Sequence, residues 1–261
     1  MQKRLPNESS VSRWAVEWFG RYSARYVRRH FHRVRLLRTG IPRSVTGLPL
    51  VVYLNHASWW DPLVCLLLAR RFFGARQSFA PIDAKALGRY RFFTRLGFFP
   101  VDEGAAGARE FLRRSDNILA SPTNALWITP QGKFADVRER PLHFERGLSH
   151  IAGRVPRAAF LPLAIEYPFW EERFPEVLVS FGEPVVMGNN DGLSVSETTH
   201  LFEGALVTVQ DHLSAAALRR DGREWMTLLG GREGVGGVYQ TWNRARAKSR
   251  GKSYSVAHSK L

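Results

Sequence analysis

The chain predicts an α/β domain, a mixed β-sheet flanked by helices, preceded by a basic amphipathic helical segment. Three observations predict it. From residue 48 onward, short apolar runs alternate with segments of helical period. Apolar residues make up 44% and charged residues 23% of 261, which suits a chain that buries a sizeable core and excludes collagen, coiled coil and wholesale disorder. Within residues 11–38, aromatic and apolar side chains recur every three or four positions with arginine between them.

In that first segment Trp14, Trp18, Tyr22 and Tyr26 keep strict step, with Phe19, Val27, Phe31 and Val34 out of step, and Gly20 predicts a kink or a split. Leu48–Leu54 is a buried strand by its β-branched, apolar run. A polar loop, Asn55–Asp61, follows it. Asp61 then serves as N-cap and Pro62 as first-turn residue of a helix ending near Phe73. Next come a strand at Gln77–Ile82, a helix at Ala84–Leu96, a strand at Phe98–Val101 and a helix at Ala105–Leu119. Ala125–Ile128 is a strand that ends in Thr-Pro-Gln-Gly. Phe144–Ala152 is a short helix, Ala159–Glu166 and Glu176–Phe181 are strands, and Ser194–Arg220 is a long helix with Ser194 or Ser196 as cap. The expected division is a membrane-surface segment at 1–38, a catalytic domain at 39–225 and a flexible basic tail at 226–261. Val238–Lys248 in that tail has weak amphipathic helical character.

The charge is unevenly placed. Residues 1–38 hold ten Lys/Arg against two acids, a net +8, and residues 232–261 hold seven against one, a net +6. The middle, with 21 basic and 20 acidic residues, is near neutral. An anionic partner is implied. A helix with Trp, Tyr and Phe on one face and Arg on the other matches one lying in a membrane interface. The alternatives are a helix packed on the body, an Arg-rich nucleic-acid segment and an organelle transit peptide. A neutral body argues against nucleic acid. No apolar run approaches the roughly 18–20 residues that span a bilayer. The expected placement is therefore peripheral, on the cytoplasmic face of a membrane. Cys65 is the one cysteine, which excludes intrachain disulfides and multi-thiolate metal sites. His143 and His150 lack metal-ligand spacing, so no metal is expected, and His30 and His32 read as surface groups.

Asn55-His56-Ala57-Ser58-Trp59-Trp60-Asp61 carries the chemistry. It leaves a buried strand and enters a helix, the place where open α/β sheets bind ligands. A loop there folds back, so that Asp61 holds one imidazole nitrogen of His56 and leaves the other free to take a proton. No G-x-S-x-G elbow is present, so the pair suits direct activation of a substrate hydroxyl. The Trp59-Trp60 pair either walls a substrate channel, dips into the interface or packs beneath the loop.

In order along residues 48–187, the chain resembles the glycerolipid acyltransferase superfamily, the 1-acylglycerol-3-phosphate acyltransferases. NHASWWD is similar to that family's Asn-His-x4-Asp. FAPIDAKALGRYRFFTRLGFFPVD resembles a family stretch, with Lys85, Gly97 and Asp102 at the matching positions. Trp127-Ile128-Thr129-Pro130-Gln131-Gly132 stands where the family has Phe-Pro-Glu-Gly-Thr-Arg. FERGLSHIA and FLPLAIEY resemble a family helix and strand. The resemblance implies acyl transfer from acyl-CoA or acyl carrier protein, as co-substrate, to a lipid hydroxyl, with no bound cofactor. His56 would be general base and Asp61 its orienter. Asn55, Lys85, Asp102, Pro130, Gln131, Gly132 and Lys133 would bind substrate.

Two positions depart from the family pattern. Asp102 is followed by Glu103, and Gln131-Gly132 by Lys133-Phe134, where the family places arginines associated with the acceptor's phosphate. Arginine pairs bidentately with phosphate, glutamate repels it and phenylalanine cannot bond it. Lys85 remains, with Lys133, Arg109, Arg138 and Arg140 nearby in sequence. The acceptor is then either a lysophospholipid such as 1-acylglycerol-3-phosphate or a glycosylated or neutral lipid alcohol. The rival reading is a catalytically silent lipid-binding protein of the same fold.

Overall fold

The computed structural model describes residues 11–89 and 91–232. Helix α1 (Arg13–His30) leads into strand β1 (Arg33–Leu37). Then follow β2 (Leu50–Leu54), α2 (Asp61–Phe72), β3 (Gln77–Asp83), α3 (Ala84–Arg89), β4 (Phe98–Val101), α4 (Gly104–Leu119) and β5 (Asn124–Ile128). The remainder is α5 (Gly147–Ala152), β6 (Ala158–Glu166), β7 (Glu176–Phe181), β8 (Val185–Met187), α6 (Val195–Arg219) and β9 (Trp225–Gly230).

The strands form one mixed sheet in the order β4-β3-β5-β2-β6-β7-β1-β9, with β8 beside β6. β4, β3, β5, β2 and β6 run parallel, so their carboxyl ends share one edge. β7 reverses against β6. β2 lies at the centre, and every residue of it is buried. The reason is two-sided cover. Leu50, Val52 and Leu54 pack with Leu63, Val64 and Leu68 of α2 and Val27 of α1. Val51 and Tyr53 point the other way, onto Ile151 of α5 and Phe202 and Leu206 of α6. A strand alternates its side chains between faces, so a strand covered on both reads as an unbroken apolar run.

The expected helix through residue 38 ends at His30. Residues 33–37 are instead a strand between β7 and β9. Arg-Val-Arg-Leu-Leu has the two-residue alternation of a strand, with Val34 and Leu36 buried. Closely spaced arginines satisfy a helical period as well, so the local pattern is ambiguous there. Gly20 does not split α1, which is continuous. It is buried where the Arg70 side chain of α2 crosses it, and Arg70 also bonds Glu17 at 2.8 Å.

At the other end, β9 pairs antiparallel with β1, so residues 226–230 belong to the sheet and not to a flexible tail. The boundaries expected at 39 and 225 both fall beside strands of this sheet. Residues 233–261, including the Val238–Lys248 segment, lie outside the described residues. The helix expected at Ala84–Leu96 is α3 followed by a 3₁₀ turn at Arg91–Leu96. Gly97 closes that turn with φ +98°, and a Cβ there would sit 2.1 Å from the Ser78 carbonyl of β3. Ser194 does cap α6, in a reciprocal pair of bonds with Glu197.

His32, expected at the surface, is buried. Its Nδ1 lies 2.7 Å from Glu176 Oε1, and Arg35 donates to both oxygens of the same carboxylate at 3.0 and 3.2 Å. Burial pushes the Glu176 carboxyl up, and the bonds from His32 and Arg35 outweigh it, leaving the group below the usual glutamate range.

Candidate active site

The loop after β2 sits at the shared carboxyl edge, in the middle of the sheet. Asn55 is 2% exposed and locks it there. Its Nδ2 donates to the Ile165 carbonyl at 3.0 Å, and its Oδ1 accepts from the Ile165 N–H at 2.9 Å. Asn55 thus ties β2 to β6, with both polar atoms of its side chain engaged by the Ile165 backbone. The backbone of the next residue is gripped from the other side. The His56 N–H donates to Gln131 Oε1 at 3.0 Å, and its carbonyl accepts from the Ala135 N–H at 2.9 Å. Gln131 is itself buried, so its oxygen positions the His56 backbone. The turn that delivers Gln131 needs Gly132, whose φ of +66° favours glycine.

His56 Nδ1 lies 2.7 Å from Asp61 Oδ2. Asp61 is 1% exposed. It is the first residue of α2 and not its cap, because its carboxylate turns back to the loop. Oδ2 also accepts from the Ser58 N–H at 3.0 Å, and Oδ1 accepts from the Tyr167 hydroxyl at 2.6 Å. Three donors on a buried carboxylate hold it in one orientation. A carboxylate facing Nδ1 keeps the proton on that nitrogen and leaves Nε2 free to accept one. The His56 side chain retains about a fifth of its exposure, 21%, so its free edge is reachable.

Tyr167 was not among the sequence-derived candidates. It ends the apolar run of β6, at the position that follows the buried strand. Burial, and then the Asp61 charge, push its hydroxyl well above the ordinary tyrosine range, so it remains a donor at neutral pH. Cys65 lies in the next turn of α2, partly buried against the core. Burial and Asp61 push its thiol well above its usual range, so it is no thiolate nucleophile.

Aromatic groups frame the site. The exposed Phe134 ring stands 4.2 Å from the His56 imidazole. Trp60 packs on Tyr26, His30 and Phe31 of the α1 end, at 5.3, 5.0 and 4.9 Å between centroids. Trp59 is 64% exposed. Trp14, Trp18, Tyr22 and Tyr26 form a stacked row along α1, at 6.4, 6.1 and 6.0 Å, and this row ends at Trp60. Trp14 and Trp18 are 71% and 51% exposed.

The remaining sequence candidates lie farther along the same edge. Lys85 follows β3 and Asp102 follows β4, two and three strands from β2. At the usual strand spacing that is about 10 and 14 Å. Lys85 is exposed and pairs with Glu103 at 3.3 Å. Asp102 and Lys133 are exposed, and Pro130 is buried in the turn. The structure therefore gathers Asn55, His56, Asp61 and Gln131 and leaves Lys85 and Asp102 apart from them.

A cleft of about 800 Å³ opens beside this cluster, on the α6 face of the sheet. Ala57, Ala135, Tyr167 and Glu166 border it on the site's side. Burial pushes the Glu166 carboxyl up, with the nearby Arg138 pulling the other way.

Comparison by sequence finds no protein-family model that matches the chain and no curated protein that matches it. Comparison of folds finds a likeness to the crystal structure of the 1-acyl-sn-glycerophosphate (LPA) acyltransferase PlsC from Thermotoga maritima, at 16% identity and a TM-score of 0.53. The likeness covers 77% of this chain and 78% of that one. It establishes that the chain shares the mixed α/β fold of that acyltransferase.

Proposed function

We propose that the protein transfers a fatty acyl group from a thioester, acyl-CoA or acyl carrier protein, to a hydroxyl of a membrane lipid. One observation carries the reading: a partly exposed His56 bonded at 2.7 Å to a buried, triply held Asp61, at the carboxyl edge of the central strand. The shared fold supports it, because the solved neighbour is an acyltransferase.

In this mechanism His56 Nε2 removes the proton from the acceptor hydroxyl as the oxygen attacks the thioester carbonyl. The tetrahedral intermediate collapses, the C–S bond breaks, and the imidazolium returns its proton to the departing thiolate. Products are an ester and a free thiol. Asp61 stabilises the imidazolium between the two steps, and Tyr167 and Ser58 keep Asp61 in place. General-base help of this kind contributes about 10²–10⁴-fold in rate. Neither step calls on a metal or a resident cofactor.

The stacked, exposed aromatic row of α1 supports binding at a membrane surface, with arginines at the same helix. Such helices lie with aromatics in the interface, and each basic residue contributes about 1 kcal/mol near anionic lipid. The row leads to Trp60, next to the catalytic loop, so a lipid entering there meets His56. The proposal includes peripheral attachment on the cytoplasmic face of a membrane. Purified protein with vesicles, labelled acyl-CoA and a lipid hydroxyl tests the reading. Product should form and vanish in His56→Ala, while vesicle binding persists. Transfer unchanged in His56→Ala would remove His56 as base. Lipid binding with no transfer in either protein would favour the silent lipid-binding reading.

A further inference from the structure

The α6-side cleft is not used by any step above, and its chemistry is specific. Its charged lining comprises Asp136, Glu166 and Asp211 against Arg138 and Arg140, a formal balance of 2 − 3 = −1. Both arginines are already occupied. Arg138 forks onto the two oxygens of Asp136 at 2.8 and 2.7 Å. Arg140 bonds Asp211 at 2.9 Å and the carbonyls of Val137 and Glu139 at 3.0 and 2.8 Å. Glu166 is left as the surplus acceptor. Gln210, buried in the cleft wall, gives its Nε2 to the Val137 carbonyl at 3.4 Å, and its Oε1, itself shielded from solvent, accepts no hydrogen bond from the described residues. Leu213, Leu218 and Ile165 supply apolar surface beside these acceptors.

We propose that this cleft holds the head group of the acceptor, and that the head group is uncharged and rich in hydroxyls, a sugar or polyol and not a phosphate. Hydroxyls donate to Glu166, and C–H faces lie on the leucines. A phosphate meets a net negative lining whose guanidinium forks are closed. The volume, about 800 Å³, lies within the range of small-molecule sites. It borders the residues that hold the base. Ala57 follows His56 in the chain, Ala135 bonds the His56 carbonyl, and Tyr167 bonds Asp61. The other side of the site agrees, since Lys85 is paired by Glu103 and the apolar Phe134 ring stands beside His56. That the occupant is an acceptor rests on the acyltransferase reading. The cleft's preference does not.

The test is a binding titration with octyl glucoside, kept below its micelle concentration, and with 1-oleoyl-glycerol-3-phosphate as comparator. It uses the full chain, Ser214→Trp, which fills the cleft from the exposed surface of α6, and Glu166→Ala, which removes the free acceptor. The expected result is glucoside binding weakened at least tenfold in both variants, with thermal unfolding of at least one unchanged. No glucoside binding to the unaltered chain overturns the proposal. So does equal binding in the folded variants, or tighter lysophosphatidate binding lost through the same substitutions. Acyl transfer is scored separately, with His56→Ala as control. Cleft-dependent glucoside binding without any transfer would sink the acyltransferase reading and leave the cleft assignment standing.

Discussion

Asp61→Asn exposes the logic of the site, because it keeps shape and removes charge. In the unaltered protein the carboxylate accepts three bonds, from His56 Nδ1 at 2.7 Å, Ser58 N–H at 3.0 Å and Tyr167 at 2.6 Å. An asparagine oxygen can keep Tyr167, and its NH₂ then faces Ser58 N–H and the imidazole. His56 must present an unprotonated Nδ1 to that NH₂, which moves the ring proton to Nε2, the atom that has to act as base. A wrong-tautomer histidine in a Ser-His-Asp triad loses about 10⁴ in kcat, so a fall of about 10³–10⁴ is expected here. The Ser58 N–H loses its acceptor, which costs about 1–3 kcal/mol. At about 2–4 °C per kcal/mol for a domain of this size, the melting temperature falls by several degrees and the fold survives at 25 °C. Steady-state transfer and a thermal scan measure both. A folded Asp61→Asn protein whose kcat is within threefold of normal would refute the assignment of His56 as a base held by Asp61.

Three further outcomes follow from the same geometry. Tyr167→Phe removes one donor from the buried Asp61, so kcat should fall about 3–30-fold with KM for the donor unchanged, the loss of a bond to a charged group being worth about 1.5–3 kcal/mol at most. Glu176→Ala takes the shared carboxylate from the buried His32 and the mostly buried Arg35 and should lower stability by about 3–5 kcal/mol in urea unfolding. The Glu176 carboxyl is depressed in the folded state, so its contribution is complete above the ordinary glutamate pKa near 4.3 and fades as pH falls through the lower folded value. Glu176→Gln should flatten that acid limb of the stability curve. Changing Trp14 and Trp18 to serine should weaken co-sedimentation with anionic vesicles several-fold while leaving unfolding midpoints unchanged, since both rings are mostly exposed.

Much of this molecule was legible in its sequence, wherever the information is local. The apolar run of β2, the Ser194 cap and the five-residue spacing of His56 and Asp61 are short-range features, and each appears where the pattern puts it. Neighbouring residues decide strand burial, capping and loop reach, so one segment suffices to read them. Other features required the chain to come together. Tyr167 meets Asp61 across 106 positions, Gln131 meets His56 across 75, and His32 meets Glu176 across 144. No spacing encodes such pairs. They arise because β2, β5 and β6 lie side by side with their carboxyl ends on one edge, and because β1 is inserted between β7 and β9. The same assembly turned Asn55 into a clamp, gave Lys85 to Glu103 and opened the acidic cleft along α6. The sequence by itself determined the alternating α/β plan, the basic aromatic helix and the His56–Asp61 pair, since these depend on local period and reach. Only the tertiary structure decided which groups hold that pair and which charges remain free around it, because packing alone sets distances between segments far apart in the chain.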